Sequence, residues 1–472
     1  MKRYCVILMI VVNALFNSVL TQDEYCYSND NDKKQTKQFG TKTPYEVQRG
    51  NEKRYFNVPK CEAVKFWLIS RHGTRNPSAK GIEQMKKLFD VRDGILENFK
   101  RFDRDRHLNQ LCSEDLEILK NWRLDRNLTA EYENHLTVQG WNDLKYMAID
   151  FQRTFQNVIE TRYSREKFKF GYTDTQRGEA SFKAFVEGLF GPNAEARINI
   201  PAEGNNSILL RPYESCSKWL KEEEMIKDQN SEYSKFMQTD VFKKMLEEVS
   251  IRLGYKYTLN AKQIDNMWDM CRYDQAWYLQ EPSPWCVAFT REHVNILEYL
   301  EDLKYYSKGG YGNEINSKLM CAAVQDMLRT LQSEHLPKTV AYFTHASAIQ
   351  LFLTALGYAK DNDALRADNY NQMKNRQFRS SVLSPFASNL AVVKYDCPEE
   401  RERHKVQFFL NERPIDFEWC NIGLCDLREV LNRYRHFLDG DCKNMYCGGN
   451  NSNYLKLSTL MICFVTLIKF IF

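Results

Sequence analysis

The chain has 472 residues, 43% hydrophobic and 27% charged, a composition that suits one large globular domain or two ordinary ones and excludes a disordered or fibrous chain. Its formal net charge of +4 falls to zero once Lys2, Arg3, Lys456 and Lys469 near the two ends are set aside, because no acidic residue lies in the same segments. A near-neutral chain with no recognisable module gives no basis for nucleic-acid binding, so any attraction for anions has to be local.

Lys2 and Arg3, the apolar run from Tyr4 to Phe16, and the smaller, polar residues from Ser18 to Gln22 predict a signal peptide over 1–21. The uncharged stretch falls short of the ~20 residues that span a membrane. At the other end, small and polar residues from Cys447 to Ser452 precede the apolar run Leu457 to Phe472. That order predicts a glycosylphosphatidylinositol signal over 448–472, with attachment between Gly448 and Ser452. The mature chain is therefore expected on the outer face of the plasma membrane, held by a lipid anchor, with secretion or the endoplasmic reticulum lumen as alternatives. Of 14 cysteines, Cys5 and Cys463 fall in the terminal segments. The other twelve are enough for six disulfides, and none of their spacings makes a metal site. Sequons at Asn127, Asn205 and Asn450 predict N-glycosylation.

Four β-rich stretches bear on a site: Val64 to Ser70, Phe168 to Tyr172, Thr339 to Phe343, and the pair Leu390 to Tyr395 with Val406 to Leu410. The first three each end just before polar residues, namely Arg71, His72 and Arg75, then Arg177, then His345. Open α/β sheets place ligands at the carboxyl ends of their strands, so these residues are expected to converge. From 211 to 332 the pattern turns helical, with apolar stripes at Val241, Phe242, Met245, Leu246 and Val249, and at Leu319, Ala322, Ala323, Met327 and Leu331.

The run Arg71-His72-Gly73-Thr74-Arg75-Asn76-Pro77 sets an imidazole between two guanidinium groups, with Gly73 expected to let the backbone approach a ligand closely. Two guanidinium forks bind the non-bridging oxygens of a phosphoryl group in pairs. His72 is then free for in-line attack on phosphorus, with a phosphohistidine as product.

This run resembles the signature of the histidine acid phosphatases. Met267-Trp268-Asp269-Met270-Cys271, Ser283-Pro284-Trp285-Cys286, the stretch Leu297 to Lys304, Gly310-Tyr311-Gly312, Ile315-Asn316-Ser317, Phe378-Arg379-Ser380 and the stretch Ser384 to Leu390 are similar to segments of the multiple inositol polyphosphate phosphatases. The resemblance runs from about Tyr45 to Cys447. It implies an α/β catalytic domain with a mixed central sheet over 45–210 and 333–447, and a mainly helical cap inserted over 211–332. It implies hydrolysis of inositol hexakisphosphate and related polyphosphates with no metal or other cofactor. Arg71, His72 and Arg75 match the family's catalytic run, Arg177 its third phosphate-binding arginine, and His345 its second histidine, which donates a hydrogen bond to the phosphoryl group.

One position departs from the family. Relatives read His-Ala-Glu where this chain reads His345-Ala346-Ser347, so the proton-donor position is occupied by Ser347, a poor acid near neutral pH. General acid catalysis contributes about 10²–10⁴-fold. The sequence thus supports a phosphatase attenuated on basic leaving groups, and alternatively a surface protein that binds inositol phosphates with little turnover, or a phosphatase of another phosphomonoester such as a phosphoglycerate. Lys80, Lys183, Lys374, Arg376 and Arg379 are further candidate cations by nearness to the motifs, with Arg379 the one expected to bind substrate.

Overall fold

Phe66-Trp67-Leu68-Ile69 is apolar at four consecutive positions, the pattern of a strand buried on both faces. In a computed structural model it forms the middle of β1 (Glu62–Arg71). The other strands are β2 (Phe168–Tyr172), β3 (Thr339–Thr344), β4 (Asn389–Asp396), β5 (His404–Leu410), β6 (Arg413–Ile415) and β7 (Leu424–Asp426). Helices named below are α1 (Leu88–Arg101), α2 (Val138–Thr154), α3 (Gln176–Phe190), α4 (Asp240–Arg252), α5 (Ala261–Trp277), α6 (Arg291–Gly309), α7 (Cys321–Gln332), α8 (Ala346–Leu356) and the single turn α9 (Ser380–Leu383). The structure describes residues 25–49, 58–101, 108, 110–204, 207–226, 228–420 and 423–447. The expected signal peptide (1–21), the anchor segment (448–472) and the sequons at Asn205 and Asn450 lie outside them. No helix among the described residues is long and apolar enough to cross a membrane.

The chain divides into two compact units. The second, drawn from 45–75, 136–236 and 299–472, holds the sheet, in the order β2-β3-β1-β4-β5-β6 with β7 paired to β5. β2, β3 and β1 run parallel, and β4 and β5 run antiparallel to their neighbours, so the sheet is mixed as expected. The period-two alternation of strand side chains sends Phe66 and Leu68 of β1, Ala341 and Phe343 of β3, and Ala391 and Val393 of β4 into one cluster. There they meet Leu144, Met147 and Phe151 of α2 and Phe182, Phe185 and Leu189 of α3. Trp67, between Phe66 and Leu68, stacks on Phe352 of α8 at 5.2 Å, and its indole N–H donates to Asp326 of α7 at 3.0 Å. Full burial of one such side chain contributes roughly 1.5–3 kcal/mol.

The first unit, drawn from 1–44, 76–135 and 237–298, is helical. The apolar stripe on α4 buries Phe242, Met245 and Val249, and the Asn260 side chain caps α5 in a capping box with Gln263. The Arg252–Asp115 ion pair at 3.1 Å lies fully inside it. Here the family-like segments explain themselves structurally, because Cys271 and Cys286 form a disulfide between them. The unit boundaries differ from the expected cap over 211–332. Residues 237–298 join 76–135, whereas 211–236 and 299–332 belong with the sheet. The apolar periodicity reports helices, not which core they share.

The twelve cysteines of the described chain form six disulfides, the other five being Cys26–Cys112, Cys61–Cys397, Cys216–Cys447, Cys321–Cys442 and Cys420–Cys425. Trp67→Ala is expected to destabilise the protein by about 3–5 kcal/mol in urea unfolding; a loss below about 1 kcal/mol would contradict the place given to this side chain.

Candidate active site

Three parallel strands end together in the second unit. Arg71 faces Thr344 in the β1–β3 ladder, and the N–H of the next residue, His72, donates to Thr344 O at 2.9 Å. In the β2–β3 ladder Tyr172 faces Phe343, and Thr173 N donates to Phe343 O at 3.0 Å. This register sets His72 beside His345, with ring centroids 5.5 Å apart and planes inclined at 63°. Three residues after β2, helix α3 begins with Arg177 in its first turn, and Thr175 caps it by accepting from Gly178 N at 3.1 Å. A cap of this kind contributes about 1 kcal/mol.

The loop after β1 is held at every residue. Ala387 N donates to His72 O at 3.1 Å, and Gly73 N donates to the Ser181 hydroxyl at 3.2 Å. Thr74 donates to Asp143 through both its N–H, at 3.2 Å, and its hydroxyl, at 2.8 Å. Thr137, the cap of α2, donates to Thr74 O through its N–H at 2.9 Å and its hydroxyl at 3.0 Å. Gly73 serves this packing and not the approach of a ligand expected from sequence. A Cβ there would meet Gly140 O at 2.2 Å, and a Cβ on Gly140 would meet Thr74 O at 2.0 Å, so two glycines let the loop press against the start of α2.

The ring of His72 is oriented by its own loop. Its Nδ1 lies 2.9 Å from Gly73 O, a pure acceptor, so Nδ1 carries the hydrogen and Nε2 keeps its lone pair. Burial, then Arg71, Arg177, His345 and Arg75, hold His72 well below the ordinary 6.5, which leaves the imidazole neutral at physiological pH. Burial and the charges of Arg177, Arg211, Arg71 and Arg75 do the same to His345. Arg177 is itself lowered to about 10 by burial, Arg75 and Arg211, and stays charged. Both ring nitrogens of His345 and Nε of Arg177 are buried and make no hydrogen bond to another described residue. Such groups cost roughly 1–3 kcal/mol each, and like charges this close repel. A phosphoryl group relieves both costs, because it brings acceptor oxygens and negative charge.

Arg71, His72, Arg75, Arg177 and His345 thus lie within electrostatic reach of one another. The guanidinium of Arg71 sits over the Phe386 ring at 4.6 Å and donates to Ser384 O at 2.8 Å. Ser347 is buried in the first turn of α8. Arg379 is half-buried and precedes α9. Arg376 is no candidate for a ligand, since it is buried in an ion pair with Asp302. Lys183 is half-buried and paired with Glu179 at 2.6 Å, Lys374 lies over the Tyr370 ring at 5.5 Å, and Lys80 is an exposed residue of the first unit.

Sequence reasoning missed Arg211. Thr344, at the end of β3, donates its hydroxyl to Leu210 O at 2.8 Å, which pins Arg211 beside His345 and Arg177, and Arg211 forms an ion pair with Glu214. No motif surrounds it, and the acidic residue three positions on is the one signal the sequence offers. A possible metal-ligand group among the described residues, Cys26, Cys112 and Glu114, has both sulfurs committed to a disulfide.

Because Gly140 makes room for Thr74, Gly140→Ala is expected to weaken binding of inorganic phosphate on the order of 10-fold or more, although it alters no charged residue. Titration calorimetry reads this directly, and an unchanged affinity would contradict the packing role.

Residues 65–411 match the family described as the histidine phosphatase superfamily (branch 2). The chain is 42% identical over 431 residues to multiple inositol polyphosphate phosphatase 1 of Drosophila melanogaster, covering 91% of each. It is 29% identical over 431 residues to the Homo sapiens protein of the same name, covering 85% of this chain and 86% of that one. Its fold is similar to that of the phytase from D. castellii, with a TM-score of 0.69 at 18% identity over 89% of this chain and 88% of that one. The Bifidobacterium longum multiple inositol polyphosphate phosphatase in complex with inositol hexasulfate gives 0.59 at 12% identity over 84% of this chain and 97% of that one. With His72 and its arginines inside the matched span, the chain belongs to the histidine phosphatase superfamily, branch 2, and within it to the multiple inositol polyphosphate phosphatases.

Proposed function

We propose that this protein is a phosphatase that hydrolyses phosphomonoesters of inositol polyphosphates, inositol hexakisphosphate among them, through a phosphohistidine on His72. The observation that carries the reading is the bond from His72 Nδ1 to Gly73 O, which leaves a neutral Nε2 lone pair amid Arg71, Arg75 and Arg177. The names of the Drosophila and human relatives support the substrate class.

In the first step Nε2 forms a bond to phosphorus as the bond to the inositol oxygen breaks. Arg71, Arg75 and Arg177 hold the equatorial oxygens, and His345 donates a hydrogen bond to them. Arg211, and Arg379 at the start of α9, supply charge for the other phosphates of a polyanion. In the second step water attacks the phosphohistidine, which releases inorganic phosphate and restores His72. The departing alkoxide needs a proton that the Ser347 hydroxyl is too weak an acid to give, so water supplies it at a cost in rate. Ser347 also favours a second reading, a surface protein that binds inositol phosphates with little turnover.

The protein acts outside the cytoplasm, as an N-glycosylated chain on the outer membrane face. Six disulfides support an oxidising compartment, and Asn127 is exposed and open to glycosylation. The anchor itself rests on the order of residues over 448–472.

Wild type is expected to release phosphate from inositol hexakisphosphate, and His72→Ala to lose about 10³-fold or more. Ser347→Glu should raise turnover of alkyl phosphates by about 10²-fold and leave aryl phosphates, whose phenolate departs easily, nearly unchanged. No release by wild type at any pH from mildly acidic to neutral would sink the enzyme reading, and turnover near zero with tight binding would establish the second. Phosphatidylinositol-specific phospholipase is expected to free the protein from cells; retention at the membrane would contradict the anchor.

A further inference from the structure

Between α8 and β4 the chain runs through 361–388 with a single helical turn, α9, as its regular structure. Its polar groups are nonetheless pinned. Asp361 accepts from Gln377 N at 2.7 Å and Phe378 N at 3.0 Å. Asn369 accepts from Arg366 N at 2.9 Å and donates to Ala364 O at 2.9 Å. At the centre is Asp302 of α6, which has no exposed surface. One of its oxygens accepts from Ser380 N at 2.7 Å and from the Ser380 hydroxyl at 2.5 Å. The other accepts from Arg376 Nε at 2.7 Å and is ion-paired with the same guanidinium, which lies over the Tyr299 ring at 5.0 Å.

What this cluster holds is one turn of chain. Ser380 opens α9, and Ser384, just past its end, donates its N–H to Ser380 O at 3.0 Å. The Ser384 hydroxyl accepts from Gln350 Nε2 at 2.6 Å and donates to Ser380 O at 3.3 Å. The Ser384 carbonyl then accepts from Arg71 Nη1 at 2.8 Å. A neutral carbonyl can aim a guanidinium without cancelling its charge, whereas a carboxylate in its place would compete with a bound anion. The fixed negative charge that anchors the turn stands at the far end, satisfied by Arg376 and Ser380.

We infer that Asp302 is a positioning residue for Arg71: it fixes the turn from Ser380 to Ser384 so that the Ser384 carbonyl holds the Arg71 guanidinium facing the reacting phosphoryl group. The inference rests on the phosphatase reading, in which Arg71 is a ligand of that group. A merely structural Asp302 would share the same hydrogen bonds, and coupling to Arg71 separates the two.

The experiment is a double-mutant cycle on the full chain, with Asp302→Asn and Ser380→Ala each made alone and combined with Arg71→Ala. It reads kcat and KM on an aryl phosphate, the Kd for inorganic phosphate, and thermal midpoints. Each single variant is expected to lose on the order of 10-fold in kcat/KM and in phosphate affinity, and less than about 2-fold more once Arg71 is already alanine, as for residues in one network. Equal losses in both backgrounds would overturn the inference, as would folded single variants with wild-type values. Should Asp302→Asn fail to fold, Ser380→Ala, which removes one hydroxyl, decides alone. A wild type that binds phosphate but turns over no substrate would sink the phosphatase reading, and the cycle on Kd would still decide the positioning role. A wild type that does neither overturns both.

Discussion

The hydrogen bond from His72 N to Thr344 O is the constraint on which the site depends. It is the last rung of a parallel ladder that begins at Phe66 and Thr339, and a one-residue slip would turn Arg71 and every side chain below it to the opposite face. Continuous burial of both faces of β1 forbids that slip. Phe66 and Leu68 belong under α2 and α3, and Trp67 belongs against α8. The core therefore fixes the register, the register sets His72 beside His345, and the loop from His72 to Arg75 takes its shape from what lies beneath it.

Around that point the protein concentrates positive charge near His72 and commits neighbouring carboxylates to other partners. Asp143 binds Thr74 rather than an arginine, and burial pushes its carboxyl up to about 6. Glu214 pairs with Arg211, and Asp302 with Arg376, while Arg71 Nη1 donates to the Ser384 carbonyl. The result is a site in which the imidazoles are held neutral and the guanidiniums repel one another. A phosphoryl dianion would relieve the repulsion among the guanidiniums, so that part of the site's own strain becomes affinity for an anionic ligand.

Much of this was legible in the sequence, for reasons that differ from residue to residue. The strands could be read because burial on two faces leaves unbroken apolar runs, and their ends because polar residues follow at once. Arg71, His72 and Arg75 could be read because they stand together in one short run after a strand, and that run resembles a family signature. Arg211 could not, because its place comes from a tertiary hydrogen bond between Thr344 and Leu210. The motif around Gly73 suggests room for a ligand, whereas the backbone that approaches it belongs to Gly140, 67 residues away in the chain. Arg376 looked like a free cation because its partner, Asp302, is remote in sequence. The same holds for the disulfides. Twelve cysteines give six bridges by counting, but Cys61 and Cys397 stand 336 residues apart, and only the sheet, which pairs Ala63 with Tyr395, brings them together.

The central claim, that His72 is the attacking group, is tested most directly by stopping turnover of a phosphomonoester within milliseconds and locating the covalent phosphate by mass spectrometry. The account predicts a single phosphoryl group on His72, stable in alkali and lost in acid as expected for a phosphorus–nitrogen bond, and absent from His72→Ala. Turnover at full rate with His72 unmodified, or a phosphoryl group on any other residue, would contradict it.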